Sequence, residues 1–211
     1  GIGYLRLYFN TINIPEHLIP YLGLLTKVLG KVNTKQYTYQ DLTTEINANT
    51  GGINTNMTIV SLTNNECMPL FTFSASSLFE KCEFVIDIIN EIITNTTLTD
   101  EKRLYEIIAS TKSQKQMYFM GAGHAASFTR AGSYVRSYLK YQDDVDGIGQ
   151  YWFIESLEKE FNNKKEEIIS NLKQLLIYIF RKENFFLELQ PPDNQKQIYV
   201  NQWLINFSLV S

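Results

Sequence analysis

The sequence predicts an α+β fold, with one mixed, mostly antiparallel sheet of about four to six strands covered on one face by helices. Three observations carry that expectation. Tyr4 to Phe9 alternate, with Leu5, Leu7 and Phe9 on one face and Tyr4, Arg6 and Tyr8 on the other, the period-2 mark of a strand buried on one side. The elements then read strand, two helices, two strands, several helices, strand, helix, without the one-for-one alternation that a doubly wound parallel sheet requires. No internal repeat, low-complexity tract or linker composition divides the chain, so residues 1–211 are expected to form a single domain.

Each element has its own signal. Pro15 and Glu16 open a helix in which Leu18, Leu22, Leu25 and Leu29 recur at helical spacing, and Gly30 can take the positive φ that ends it. Thr38 with Asp41 starts a second short helix, which stops at Gly51-Gly52. Ile53, Thr55, Met57 and Ile59 alternate with Asn54, Asn56, Thr58 and Val60, and Leu70 to Ala75 returns after a turn-rich connection, which predicts a hairpin. Ser77 and Glu80 read as a capping box for a helix whose stripe is Cys82, Val85, Ile86, Ile89, Ile92 and Ile93. Thr99 to about Gln142 is expected to hold two helices with a break or kink near Gly121 to Gly123, and Gly147 to start another containing Trp152, Phe153 and Leu157. Asn163 with Glu166 reads as the cap of the next, whose buried face is Ile168, Ile169, Leu172, Leu175, Leu176 and Ile179. Phe185 to Gln190 reads as a strand. Beyond Pro191-Pro192, Asp193 reads as the cap of a closing helix carrying Val200, Trp203, Leu204 and Phe207, although Ile198 to Val200 also suits a strand.

Composition excludes several functions. Lys+Arg 19 against Asp+Glu 22 leaves a net charge of -3, and the charges are scattered rather than gathered into a stripe that could follow a phosphate backbone, so no nucleic-acid partner is expected. No apolar run approaches the ~20 residues of a membrane span, so no membrane partner is expected, and any targeting segment lies outside this sequence. Cys67 and Cys82 make a poor disulfide framework for 211 residues, which favours an intracellular, reducing compartment.

The search for chemistry returns little. A peptidase zinc needs two His on one helix face with a carboxylate, and this chain has only His17 and His124, neither in a His-x-x-Glu-His string or its reverse. His17 reads as a solvated residue in the first turn of a helix. Gly121-Ala122-Gly123-His124-Ala125-Ala126 matches the G-x-G-x-x-A form of a dinucleotide turn, but its lead-in, Lys112 to Gln116, is polar and helix-favouring rather than a buried strand. These glycines therefore read as small residues that permit close helix packing. Asp143-Asp144 and Glu166-Glu167 read as solvated surface. Tyr134, Tyr138 and Tyr141, interleaved with Arg136 and Lys140, read as a contact for a neighbouring domain.

Several of these segments together resemble a known family. Tyr4-Leu5-Arg6-Leu7-Tyr8-Phe9-Asn10, Ile19-Pro20-Tyr21-Leu22, Leu24-Leu25, Leu29-Gly30, Tyr37 to Leu42, Glu45-Ile46-Asn47 and Thr50-Gly51-Gly52-Ile53 are similar to the third domain of the presequence-protease and falcilysin branch of the insulinase (pitrilysin) superfamily of zinc metallopeptidases. Gly123-His124, Arg130-Ala131 and Gly147 to Phe153 resemble later parts of that domain. The resemblance implies a parent of about four such domains, folded as two bowl-shaped halves that close around a peptide, with zinc in the first domain only. The family's metal-binding helix, laid onto this chain, falls near Tyr21, Leu24 and Leu25, where apolar residues stand in place of the ligands. No catalytic residue, metal ligand or cofactor is therefore expected in this chain. Gly51, Gly52, Gly123, His124 and Arg130 are expected to serve structure, and Tyr134 and Trp152 to meet other domains of the parent polypeptide. The implied function is a non-catalytic part of a chamber that degrades short unfolded peptides. The alternative is an inactive structural homologue of the kind found among respiratory-complex core or processing-peptidase subunits.

Overall fold

The computed structural model describes residues 1–63, 66–190 and 198–200. In chain order the elements are β1 (Ile2–Asn10), α1 (Ile19–Val28), α2 (Tyr39–Asn49), β2 (Ile53–Ser61), β3 (Cys67–Leu78), α3 (Cys82–Asn95), α4 (Glu101–Gly132), α5 (Ser137–Asp146), α6 (Ile148–Lys159), α7 (Phe161–Ile179), β4 (Phe185–Gln190) and β5 (Ile198–Val200). The strands form one sheet in the order β2-β3-β1-β4-β5. Every described pairing is antiparallel, so the sheet is less mixed than the sequence implied.

Register follows from the alternation. Leu7 lies opposite Phe73 on one side and Leu187 on the other, and Phe9 lies opposite Phe71 and Phe185, which puts all these side chains on the same face. Phe180, just past α7, meets Phe9 and Phe71 edge-on at centroid distances of 4.9 and 5.6 Å. The opposite face carries Tyr4, Arg6, Asn54, Asn56 and Ser74. Val85, Ile89 and Leu172 are buried in the core and Leu176 is partly buried against it, as expected for helices covering one face.

α1 is more enclosed than its leucine stripe predicted. Tyr21 to Thr26 and Val28 are all buried, because α4, α5, α6 and α7 pack around the side turned away from the sheet. Gly23 makes this possible, since a Cβ there would lie 2.1 Å from the Val145 carbonyl oxygen.

Helix ends show where local signals held and where the sheet overrode them. Thr38 caps α2, its hydroxyl oxygen accepting the Asp41 N–H at 3.2 Å. Gly52, at φ +114°, turns the chain from α2 into β2, and the Gly51 N–H donates to the Ser76 carbonyl at 2.7 Å. The Ser77–Glu80 capping box does not form: Ser77 is still in the ladder, paired with Gly3, and a 3-10 turn at Phe79–Lys81 leads into α3. Nor do Asn163 and Glu166 cap a helix. α7 begins at Phe161, whose buried ring packs on Tyr105 and brings the helix start forward. The expected kink near Gly121 to Gly123 falls at Ala122 (φ −126°, ψ 30°), where two helical segments of α4 meet, and an unanticipated break follows at Ser133 to Arg136. Of the closing-helix expectation, Val200 belongs instead to β5, paired with Leu187. Asp193, Trp203, Leu204 and Phe207 lie outside the described residues.

The far end of β1 is tied to α5. Thr11 donates from its hydroxyl to the Pro69 carbonyl at 3.0 Å and lies 3.3 Å from the Tyr141 hydroxyl. Burial, with smaller contributions from Cys67 and Asp144, pushes the Tyr141 phenol up to about 12. A phenol whose folded pKa exceeds its unfolded value of about 10 contributes stability that is whole below pH 10 and lost as pH rises toward 12. In urea titrations across that window Tyr141 should contribute a fall of up to about 1.4 kcal/mol per pH unit, so stability falls more shallowly in Tyr141→Phe. Equal slopes would contradict the burial of this hydroxyl.

Candidate functional site

The site grows from one buried carboxylate. α5 ends at Asp146 and α6 starts at Ile148, with Gly147 as the hinge that caps both. This tight turn folds Asp143 inward until none of it is exposed. Two glycines make the room: a Cβ on Gly147 would lie 2.5 Å from Asp143 Oδ1, and one on Gly149 would lie 2.7 Å from Oδ2. The solvated-surface reading of Asp143 is thus corrected, because the helical turn that exposes Asp144 to Lys140 points Asp143 the other way. Glu166 and Glu167 are exposed, as read.

Arg130 answers the buried charge. Its Nη1 donates to Asp143 Oδ2 at 2.7 Å, an ion pair whose guanidinium side is 31% exposed and whose carboxylate side is fully buried. The carboxylate raises the Arg130 pKa further above its ordinary value. The outer face of the same guanidinium lies 5.0 Å from the Trp152 ring centroid and 5.3 Å from that of Tyr134. Charge and rings therefore form a stack that runs from the core to the surface: Asp143 inside, Arg130 in the middle, and Tyr134 (75% exposed) and Trp152 (53% exposed) outside. Gln150, also fully buried, fills the space beside Gly23.

Of the residues expected from sequence, the structure brings Arg130, Tyr134 and Trp152 together. Gly51 and Gly52 lie elsewhere, at the corner between α2 and β2. Gly123 and His124 lie on α4 beyond Arg130, His124 exposed. Helix surrounds the Gly121 to Ala126 match on both sides, which removes the strand-turn-helix geometry that a dinucleotide turn needs. The close-packing reading is corrected too, because a Cβ on Gly121 or Gly123 meets nothing within 4 Å. Tyr134 precedes α5, so only Tyr138 and Tyr141 of the aromatic series share a helix. His17 is exposed on a 3-10 turn, Glu16–Leu18, rather than in an α-helix.

What this arrangement can do chemically is limited. Among the described residues, no group of three or more His, Cys, Asp or Glu could hold a metal ion. Tyr21, Leu24 and Leu25 are buried and apolar, 4%, 0% and 0% exposed, and offer no ligand that could bind zinc. No described helix is long and apolar enough to cross a membrane. The stack presents a partly exposed cation beside two exposed aromatic rings.

Comparison with known proteins decides the family. Residues 1–157 match the family described as associated with peptidases of subfamily C of family M-16. The chain belongs to that peptidase-associated family. "Protein HypA" from Clostridium perfringens is 35% identical to this peptidase-associated chain over 188 residues, which cover 88% of the chain and 19% of that protein. Mitochondrial presequence proteases of Yarrowia lipolytica and Saccharomyces cerevisiae are 26% and 28% identical, covering 85% and 89% of this chain and 19% and 20% of theirs. The peptidase-associated chain spans about a fifth of the length of these relatives. The surface stack lies within the matched region.

Proposed function

We propose that the chain is a domain of an intracellular zinc metallopeptidase and forms part of the wall of a chamber that closes around short unfolded peptides. Two things support this reading: membership of the peptidase-associated family, and the stack on Arg130 that holds Tyr134 and Trp152 toward a neighbour. The neighbour is another domain of the same polypeptide, and zinc is held in the parent's first domain. Gly51, Gly52 and Arg130 shape the fold, Gly123 lies half-buried on α4, and His124 is turned outward. Free Cys67 and Cys82 suit a reducing cytoplasm or organelle matrix.

A chamber wall contributes to turnover without touching the reacting bond. Enclosure excludes bulk water, limits substrate length and holds the peptide in register with a zinc site carried elsewhere. Losing the contact that aligns the wall should therefore lower cleavage while leaving the metal in place. In the parent enzyme, Tyr134→Glu combined with Trp152→Glu is expected to reduce peptide cleavage about tenfold or more with zinc content unchanged. Both rings are exposed in this chain, so the replacements leave its own core intact. Unchanged cleavage in the double variant, or one equivalent of zinc retained by this chain alone after dialysis, would count against the proposal.

A further inference from the structure

The outer part of α4 is an apolar arm. Between Lys115 and Arg130 the sequence has no Asp, Glu, Lys or Arg. Met117 is 72% exposed, Tyr118 57%, Met120 83% and Phe128 70%. A solvated helix ordinarily carries charge on its outer face, and contiguous exposed apolar surface marks a place where something binds.

The geometry says what shape the partner has. Successive helical residues turn by about 100°, so Met117, Tyr118 and Met120 fan across about half the circumference on one side of the axis, opposite Phe119. Turned toward the rest of the chain are Phe119, edge-on to Tyr151 at 5.8 Å between centroids, and Ala126, 6% exposed, with Ala122 and Gly123 half-buried. The exposed apolar side chains thus share one broad face, the kind of face that a helix lays into a groove. The backbone is bare at Gly121 and Gly123, where an added Cβ meets nothing within 4 Å, whereas at Gly132 it would lie 2.2 Å from Leu139 Cδ1. Open glycine backbone allows the close approach of another chain segment. The kink at Ala122 bends the arm within this stretch.

We propose that the Met117–Phe128 arm of α4 inserts into an apolar, uncharged groove between helices of a neighbouring domain of the same polypeptide. This rests on reading the chain as one domain of a longer enzyme. The relatives it matches are about five times its length, which supplies the partner. The arm also runs directly into Arg130 and the two rings beside it, so groove contact and ring contact form one continuous surface. A membrane-surface helix would carry Lys or Arg on a polar face, and this arm has neither.

Hydrogen exchange on the full-length parent tests this independently of peptide cleavage. Backbone amides of 117–128 are expected to be protected at a level that does not change with protein concentration or with added anionic phospholipid vesicles. Met120→Lys should accelerate their exchange about tenfold or more, and Met120→Leu should not. Because Met120 is 83% exposed in this chain, the lysine disturbs only what covers it. Phe128→Glu should repeat the result from the other side of the kink. Exchange in Met120→Lys equal to the unmodified parent would overturn the proposal. So would protection that disappears on dilution, which indicates a second copy, or that appears only with vesicles, which indicates a lipid surface.

Discussion

Replacing Arg130 with Met is expected to destabilise the chain by about 3 kcal/mol, measured as a shift in the urea midpoint at unchanged slope. The aliphatic stem is kept, so the loss isolates the guanidinium. Asp143 has no exposed surface, and without Arg130 its charge keeps no ion-pair partner in contact and only the electrostatic influence of Lys115. Asp143→Asn should cost less, because the Arg130 side chain is 31% exposed and water can reach it. The asymmetry is the informative part: removing the exposed partner should hurt more than removing the buried one. Arg130→Lys should fall between them, since an ammonium restores charge but cannot lie flat between Trp152 and Tyr134. A loss below about 0.5 kcal/mol in Arg130→Met would mean that Asp143 is satisfied without it.

Gly23→Ala carries the second large effect, and helix propensity alone gives it the wrong sign. Alanine is favoured over glycine by about 1 kcal/mol inside a helix. Here the added methyl would lie 2.1 Å from the Val145 carbonyl oxygen and 2.6 Å from Gln150 Nε2, and one of those is backbone that cannot swing away. Overpacking of this kind costs about 1–3 kcal/mol, and moving α5 off α1 also disturbs the turn that buries Asp143, so a net loss of about 2 kcal/mol is expected. Gly121→Ala is the matched control. Its Cβ meets nothing within 4 Å, so the same substitution there should leave this chain unchanged or slightly more stable. Destabilisation at Gly121 and none at Gly23 would reverse the packing described for both helices.

Much of the sheet was legible because alternation in β1 reports burial residue by residue, and the first half of β2 repeats it more weakly. The α2 cap was legible because Thr38 and Asp41 interact locally. Ser77 carried an equally good local signal and failed, because the β1–β3 ladder continues through Leu78 and backbone pairing outweighs a side-chain cap. The site was harder to read. Tyr134 and Trp152 stood out as aromatics, but the Asp143–Arg130 pair joins two helices across a break, and no fixed spacing announces such a contact. A weak signal did exist, in that Gly147 and Gly149 follow Asp143 closely enough to clear space for its carboxylate. The glycines were misleading in a second way: Gly121 and Gly123 formed the conspicuous motif and touch nothing here, while Gly23, inside a leucine run, makes the tightest approach.

The central claim is that this chain does no chemistry and yet is needed for it. The direct measurement is complementation between separately produced halves of the parent enzyme, scored by cleavage of a short unfolded peptide. The zinc-carrying half alone should cleave at least about a hundredfold more slowly than the intact parent, since enclosure and alignment are missing. Adding the half that contains this chain should restore cleavage, and adding that half with Tyr134→Glu and Trp152→Glu should restore much less. Full activity from the zinc-carrying half alone would contradict the chamber-wall account.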